Sequence, residues 1–293
     1  MELLGQYING NYSVKIFDDG TKIRENALDF FESAFPENID CKITNYCDKG
    51  CGFCHEDSSV LGEHGDILNA KFLDSLHPFT EMAIGGGNPL SHPDLENFLI
   101  KLKERNIIAN ITVNQDHFIE DFGFVHYLSE RGLVKGIGVS LTDSSDKGFI
   151  DLINCLPNVV LHTINGITTI EDYWNLRDKG LKILILGYKY LRRGKDYFSD
   201  EVTLNKRKLI MTLPILLPGF KVLSFDNLAI EQLEVKKLLS KEEWEEFYMG
   251  DDGQFTMYVD LVKQEYAKSS VSTIRHVLED NIGTMFSTIK QEG

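Results

Sequence analysis

The run Cys47-Asp48-Lys49-Gly50-Cys51-Gly52-Phe53-Cys54 places three of the chain's five cysteines within eight residues. Gly50 and Gly52 let the backbone fold tightly, so three thiolates can converge on one centre. Three soft thiolates from one loop suit zinc or an iron–sulfur cluster. A structural zinc site wants a fourth ligand, for which His55 stands adjacent and Cys41 just upstream. The fifth cysteine is Cys155, and an odd total in a chain of 293 residues argues against a disulfide scaffold.

Outward from this loop the hydrophobic pattern alternates between two periods. Upstream, Ile39 to Thr44 alternates as a strand does. Downstream, the pattern predicts a helix over 68–76, then a strand over 81–84 that ends in Gly85-Gly86-Gly87. A helix over 93–104 follows, with Leu95, Phe98, Leu99 and Leu102 on one face. Strands over 107–113, 136–141, 159–164 and 181–186 then alternate with helices over 118–130, 148–156 and 169–178. Six mostly apolar strands separated by amphipathic helices imply a parallel sheet. Such sheets place ligands at the carboxyl ends of their strands, and the cysteine loop follows the first one.

The spacing Cys-x3-Cys-x2-Cys, with Phe53 before the last cysteine, closely resembles the radical S-adenosylmethionine (radical SAM) family. The resemblance implies that Cys47, Cys51 and Cys54 bind three irons of a [4Fe–4S] cluster. The fourth iron takes the amino and carboxylate groups of S-adenosyl-L-methionine (SAM), and one-electron reduction splits SAM to methionine and a 5′-deoxyadenosyl radical. Three protein ligands on a four-iron cluster do leave one iron for an exogenous ligand, and the cofactor then carries the difficult chemistry. A flavodoxin- or ferredoxin-type electron donor is implied as a partner. The implied fold is α/β: a partial (β/α)6 barrel over 38–212, with an N-terminal hairpin or cap over 1–37. A small α/β C-terminal extension over 213–293 follows, and it lacks auxiliary-cluster cysteines because none follows Cys155.

Further residues extend the resemblance. Gly86-Gly87-Asn88-Pro89 stands where the family has Gly-Gly-Glu-Pro, which implies contact with the SAM ammonium. Asn88 departs from the usual Glu: its carbonyl accepts a hydrogen bond but brings no charge. Thr112-Val113-Asn114-Gln115 resembles the family's Thr-Asn-Gly and makes Asn114 a candidate for the SAM ribose or carboxylate. Ser140 ends the fourth strand, Asn165 follows the fifth, and Gly187-Tyr188-Lys189 follows the sixth, where main-chain groups commonly meet adenine. For Ser140, Asn165 and Lys189 a purely structural role stays open.

Lys plus Arg total 30 against 45 Asp plus Glu, a net charge of −15. That balance argues against duplex DNA or folded RNA as a partner. No apolar run reaches transmembrane length, so no membrane partner is expected. The N-terminus lacks a basic segment followed by a long apolar one, so the cytoplasm is the expected compartment. A hairpin is expected around Asp18-Asp19-Gly20. The basic runs Leu191–Lys195 and Lys206–Lys208 read as solvated surface or as phosphate contacts. Pro214 and Pro218-Gly219 are expected to break the chain.

Val222–Phe225 reads as a strand that places Asp226 and Asn227 at its carboxyl end, although Asp226 could merely cap the helix that follows. Ser240 opens a capping box, residues 254–260 read as a late strand and 282–289 as partly helical. Glu56, after the cysteine loop, and Asp226 with Asn227 opposite are the candidate catalytic residues. A carboxylate recognises adjacent N–H donors such as those of a guanine-type ring. The expected substrate is therefore a small nucleoside-like molecule, with a lyase that cleaves queuosine to release queuine as the leading case. The alternative is a radical SAM peptide-modifying maturase.

Overall fold

The computed structural model describes residues 2–28 and 30–292. Strands β1 (Leu3–Asn9), β2 (Tyr12–Phe17) and β3 (Lys22–Glu25) form a small antiparallel sheet. The hairpin expected around Asp18-Asp19-Gly20 is β2–β3. β1 is additional; it lacks clean in–out alternation, with Leu3, Gln6 and Ile8 exposed.

Among the described residues the main sheet has ten strands. β4 (Asn38–Thr44), β5 (Glu81–Gly86), β6 (Ile108–Asn114), β7 (Gly136–Ser140), β8 (Val159–Ile164), β9 (Lys182–Leu186) and β10 (Val222–Phe225) lie side by side and parallel. β11 (Thr256–Asp260) pairs parallel with β4 on the other side. β12 (Glu265–Ala267) and β13 (His276–Val277) complete the edge antiparallel. The helices are α1 (Leu95–Glu104), α2 (Gln115–Glu120), α3 (Phe122–Glu130), α4 (Lys147–Asn154), α5 (Ile170–Leu176), α6 (Arg193–Tyr197), α7 (Asp200–Leu216), α8 (Asn227–Gln232), α9 (Lys241–Phe247) and α10 (Ile282–Lys290). This is an α/β fold, a partial (β/α) barrel with a mixed sheet. Among the described residues no helix is long and apolar enough to cross a membrane.

Strand parity explains how the barrel holds together. Ile39, Ile43, Met82, Ile84, Ile111, Val113, Val139, Leu161, Ile183 and Ile185 form one core with Phe98, Phe118, Phe149, Tyr173 and Leu213 of the helices. Residues of the opposite parity, such as Asp40, Asn110, Thr112, Ser140, His162 and Ser224, line the barrel interior. The strands are apolar on one face and largely polar on the other, and the polar face points inward.

Three expectations need correction. The helix expected over 68–76 is one 3-10 turn, Lys71–Ser75, because the Asp66 carboxylate takes the Asn69 N–H and holds the preceding residues in a turn. The helix expected over 118–130 is two. Asn114 caps α2 through the Asp116 N–H (2.9 Å), so it begins at Gln115, and Asp121 leaves helical geometry between α2 and α3. Pro214 lies inside α7, in its last turn, and the helix stops only at Leu216, before the Pro218-Gly219 turn.

The small sheet closes the amino-terminal end of the barrel through Glu37, which is 1% exposed. Its carboxylate accepts from Tyr12 Oη (2.6 Å), Arg24 Nε (2.9 Å) and Arg24 Nη2 (3.1 Å) and pairs with Lys22 Nζ (3.2 Å), which also pairs with Glu81 (2.6 Å). Burial alone would raise the Glu37 pKa, but the Arg24 hydrogen bonds and the Lys22 charge outweigh it and hold the carboxyl below its ordinary range. Glu37→Gln should therefore remove about 3 kcal/mol of stability at neutral pH, the low end for a broken buried pair because Lys22 keeps Glu81. The folded chain binds fewer protons at this site than the unfolded one. The contribution is thus complete above about pH 4.5 and is lost as pH falls through the lowered folded value. Denaturation at about pH 7 and about pH 3 checks this: the gap between wild type and variant should narrow in acid.

Candidate active site

A cavity of about 770 Å³ occupies the barrel, from the β2–β3 turn at the amino-terminal end to the cysteine loop at the carboxyl end. Cys47, Cys51 and Cys54 all line it and are partly exposed. Gly50 takes a positive φ of 63°, which favours glycine, and Cys54 N–H donates to Cys51 O (3.2 Å) to tighten the turn. Burial pushes the Cys47 and Cys51 thiols up, and each also feels Cys54, so the three groups lie within electrostatic reach of one another. Phe53 packs edge-on against Tyr197 (5.7 Å), seating the loop on α6. Cys41 is buried in the core and Cys155 is exposed; all five cysteines are free.

Directly behind the loop lies a buried ion-pair cluster. Glu56 Oε2 pairs with Lys42 Nζ of β4 (2.7 Å) and Arg192 Nη1 (3.1 Å), and Oε1 lies 3.4 Å from His55 Nε2. Asp260 of β11 approaches Lys42 (3.5 Å). Burial opposes ionisation of Glu56, but the Lys42 ammonium holds its carboxyl far below the usual range. Burial and the Lys189 charge lower the pKa of His55, whose neutral ring accepts from Lys189 Nζ (3.1 Å). Both Glu56 oxygens thus face groups of the chain itself. Arg192 also donates to His55 O, and Arg193 binds Asp57 (2.9 Å) and Ser58 O. The expected solvated or phosphate-binding basic run around Arg192 and Arg193 instead ties the cysteine loop to the segment after β9.

Gly86 (φ 114°) and Gly87 end β5 against the start of the cysteine loop. A Cβ at Gly86 would lie 2.3 Å from Thr44 O, and one at Gly87 2.0 Å from Tyr46 O. Both line the cavity. Asn88 is buried and caps its own turn: Oδ1 accepts from Leu90 N–H (3.1 Å), and its N–H donates to Tyr46 O (2.7 Å). Asn114 and Ser140 line the cavity, with Asn114 Oδ1 engaged as the α2 cap. Asn165 is fully buried beside Gln232, donating to Gln232 Oε1 (3.0 Å), while its own Oδ1 has no partner among the described residues.

Gly187, Tyr188 and Lys189 line the cavity in a backbone held from both sides. Asp226 Oδ1 accepts from Gly187 N–H (2.8 Å) and Ala229 N–H (2.7 Å), so Asp226 caps α8 and lines the cavity at once. Gln232 accepts from Tyr188 N–H (2.8 Å) and donates to Tyr188 O (2.9 Å). Asn227 also lines the cavity and donates to Asp252 Oδ1 (2.7 Å).

Lys42, Gln232 and His117 hold parts of this arrangement without any sequence signal of their own. His117 Nε2 donates to Asp48 Oδ1 (2.6 Å), and Cys47, Asp48 and His117 offer ligand atoms within 4.8 Å of one another. Their sequence separation hides the convergence, which the β6–α2 turn creates.

No family model and no curated protein matches the sequence. Solved structures do. Streptococcus suis SuiB bound to S-adenosylmethionine superposes with a TM-score of 0.63 at 12% identity, over 94% of this chain and 84% of that one. SuiB bound to precursor peptide SuiA gives 0.55 at 16% identity over 84% of this chain; the match spans 63% of that chain, less than two thirds of its length. Native anSMEcpe with bound AdoMet and Cp18Cys peptide gives 0.55 at 14% identity, over 87% and 80%. At such identities the likeness establishes the shared fold, a partial (β/α) barrel.

The packing orders two substitutions. Gly87→Ala forces a Cβ into backbone and should lower stability by about 1–3 kcal/mol. Asn88→Ala loses one cap and should cost about 1 kcal/mol. Urea denaturation of both variants checks the ranking.

Proposed function

We propose that this chain is a radical SAM enzyme. The observation that supports it best is that Cys47, Cys51 and Cys54, in the loop after β4, all line the barrel cavity. The donor set fits the group: three partly exposed soft thiols within electrostatic reach of one another would hold three irons of a [4Fe–4S] cluster. When bound, the cluster supplies the electron for reductive cleavage of SAM, delivered by a flavodoxin- or ferredoxin-type donor.

The chain's own residues bind and orient. Gly85, Gly86 and Gly87 present backbone to the cavity on one side, and Asn114 and Ser140 present side chains on the next strands. Gly187 and Tyr188 form a wall for the SAM adenine, immobilised by Gln232 and Asp226. Glu56 acts as a positioning residue that fixes the loop through Lys42 and Arg192.

For the substrate we favour a peptide, because SuiB and anSMEcpe, whose folds this chain shares, were each solved with a peptide bound. A nucleoside such as queuosine, cleaved to release queuine, is the second reading. It is favoured by a cavity of small-molecule size whose far end carries the β2–β3 turn.

Anaerobic reconstitution tests the enzyme class. The chain should take up about four irons with matching sulfide and form 5′-deoxyadenosine from SAM and a reductant. Cys51→Ala should lose the cluster, and Cys41→Ala, altering a core residue, should keep it. Bound zinc without sulfide would overturn the reading. Incubation with a queuosine-type nucleoside, in parallel with candidate precursor peptides, separates the two substrates.

A further inference from the structure

At mid-height in the barrel His162 of β8 lines the cavity beside Ser140, its partner residue on β7. Gly138 makes room for the ring: a Cβ there would lie 2.3 Å from His162 Cε1 and 2.5 Å from Nε2. Neither ring nitrogen makes a hydrogen bond within the described residues. Burial and the Lys189 charge push the imidazole down to about 4, so it stands neutral, with one donor and one acceptor nitrogen.

Asp40, Asp226 and Asp252 are among the carboxylates on the wall of the same cavity. Asp226 is met only by the backbone N–H groups of Gly187 and Ala229 and Asp252 by Asn227 Nδ2, while Asp40 has a long contact (3.5 Å) from Asn38 Nδ2. None forms an ion pair among the described residues. The cation whose charge reaches Asp40 and Asp226 is Lys189, and its Nζ rests on His55 Nε2 and Ser270 Oγ (2.9 Å) rather than on a carboxylate. Lys42, also on the cavity wall, is consumed by Glu56 and Asp260. Lys135 and Lys182 line the cavity too, Lys182 donating to Asn158 Oδ1 (3.2 Å), and among the described residues neither they nor Lys189 form an ion pair with Asp40, Asp226 or Asp252. Burial raises both Asp40 and Asp226.

We propose that this mid-barrel constellation binds a cationic group of the substrate, a guanidinium or ammonium, with Asp40 and Asp226 as counter-ions and His162 as the neutral acceptor that orients it. The inference rests on reading the cavity as the substrate chamber of a radical SAM enzyme, and it names the substrate class. Planar N–H donors facing paired carboxylates give charge-assisted hydrogen bonds, stronger than neutral ones. The cation is carried either by a peptide side chain or by a small free amine.

Calorimetry on the reconstituted protein with N-acetylarginine amide, its neutral isostere N-acetylcitrulline amide, and agmatine tests this. The arginine compound should bind about tenfold tighter than the citrulline one. Asp40→Asn and Asp226→Asn should each erase most of that preference, and Asn at 226 still caps α8. In wild type labelled with 13C-histidine, arginine amide should shift the His162 ring signals, assigned by their loss in His162→Gln. Tighter binding of agmatine than of arginine amide would identify a free amine as the source, and the reverse a peptide; both support the proposal. Equal affinity for the arginine and citrulline compounds, no cation binding at all, or unmoved His162 signals at saturation would overturn it. Iron, sulfide and 5′-deoxyadenosine measured on the same preparation keep the two readings apart. An intact cluster without cation binding discards this inference alone, and cation binding without a cluster discards the radical SAM assignment alone.

Discussion

Lys42 and Glu56 make the contact on which the carboxyl end of the barrel depends. Lys42 belongs to the strand that precedes the cysteine loop, and Glu56 lies just beyond the last cysteine, so the 2.7 Å pair closes the loop across its own base. Asp260 brings β11 to the same ammonium, and Arg192 brings the segment after β9 to the same carboxylate. Four stretches of chain, distant in sequence, are thereby fixed around one buried charge pair. Removing one member would strand its partner in low dielectric, an expensive state at about 3–5 kcal/mol. The loop is held by charges from behind while its thiols stay turned to the cavity.

The amino-terminal end has its own buried carboxylate. Glu37 gathers Tyr12, Lys22 and Arg24 of the small sheet, and Arg24 also lies over the Phe255 ring at 3.7 Å. Asn158, before β8, donates to Asp18 O (2.9 Å) and ties the β2–β3 turn to the barrel. One end of the cavity is thus built from a packed sheet, and the other from a loop with glycine at Gly50 and Gly52. That asymmetry suits chemistry at the loop end and rigidity at the other.

Between the two ends, the inner strand face is unusually polar for a barrel interior. Side chains do not fill it, and Gly85, Gly136 and Gly138 widen it further. A packed apolar core outside and a polar chamber inside divide the labour along each strand: alternate residues hold the fold and alternate residues face a ligand. His162 and Asp40 belong to the second set, and their place on the chamber wall follows from strand parity.

Much of this was legible in the sequence. The cysteine spacing, the glycines that end β5 and the alternation of strand and helix identify the six central strands and the end of the barrel that carries the candidate site, because these features depend on local periodicity and on short loops. Local pattern could not supply the partners. Asn88 and Asp226 look like ligand residues by position, yet each spends an oxygen on a cap, since a side chain beside its own turn outcompetes a distant ligand for that N–H. Glu56 reads as a free carboxylate until β4 and Arg192 come beside it. Gln232 and His117 carry no motif, and the Gly138–His162 fit exists only once β7 and β8 are paired. Sequence alone determined which residues repeat, turn and cluster along the chain. Tertiary structure decided which charges meet, because ion pairs and cavities form between strands whose separation in sequence bears no relation to their separation in space.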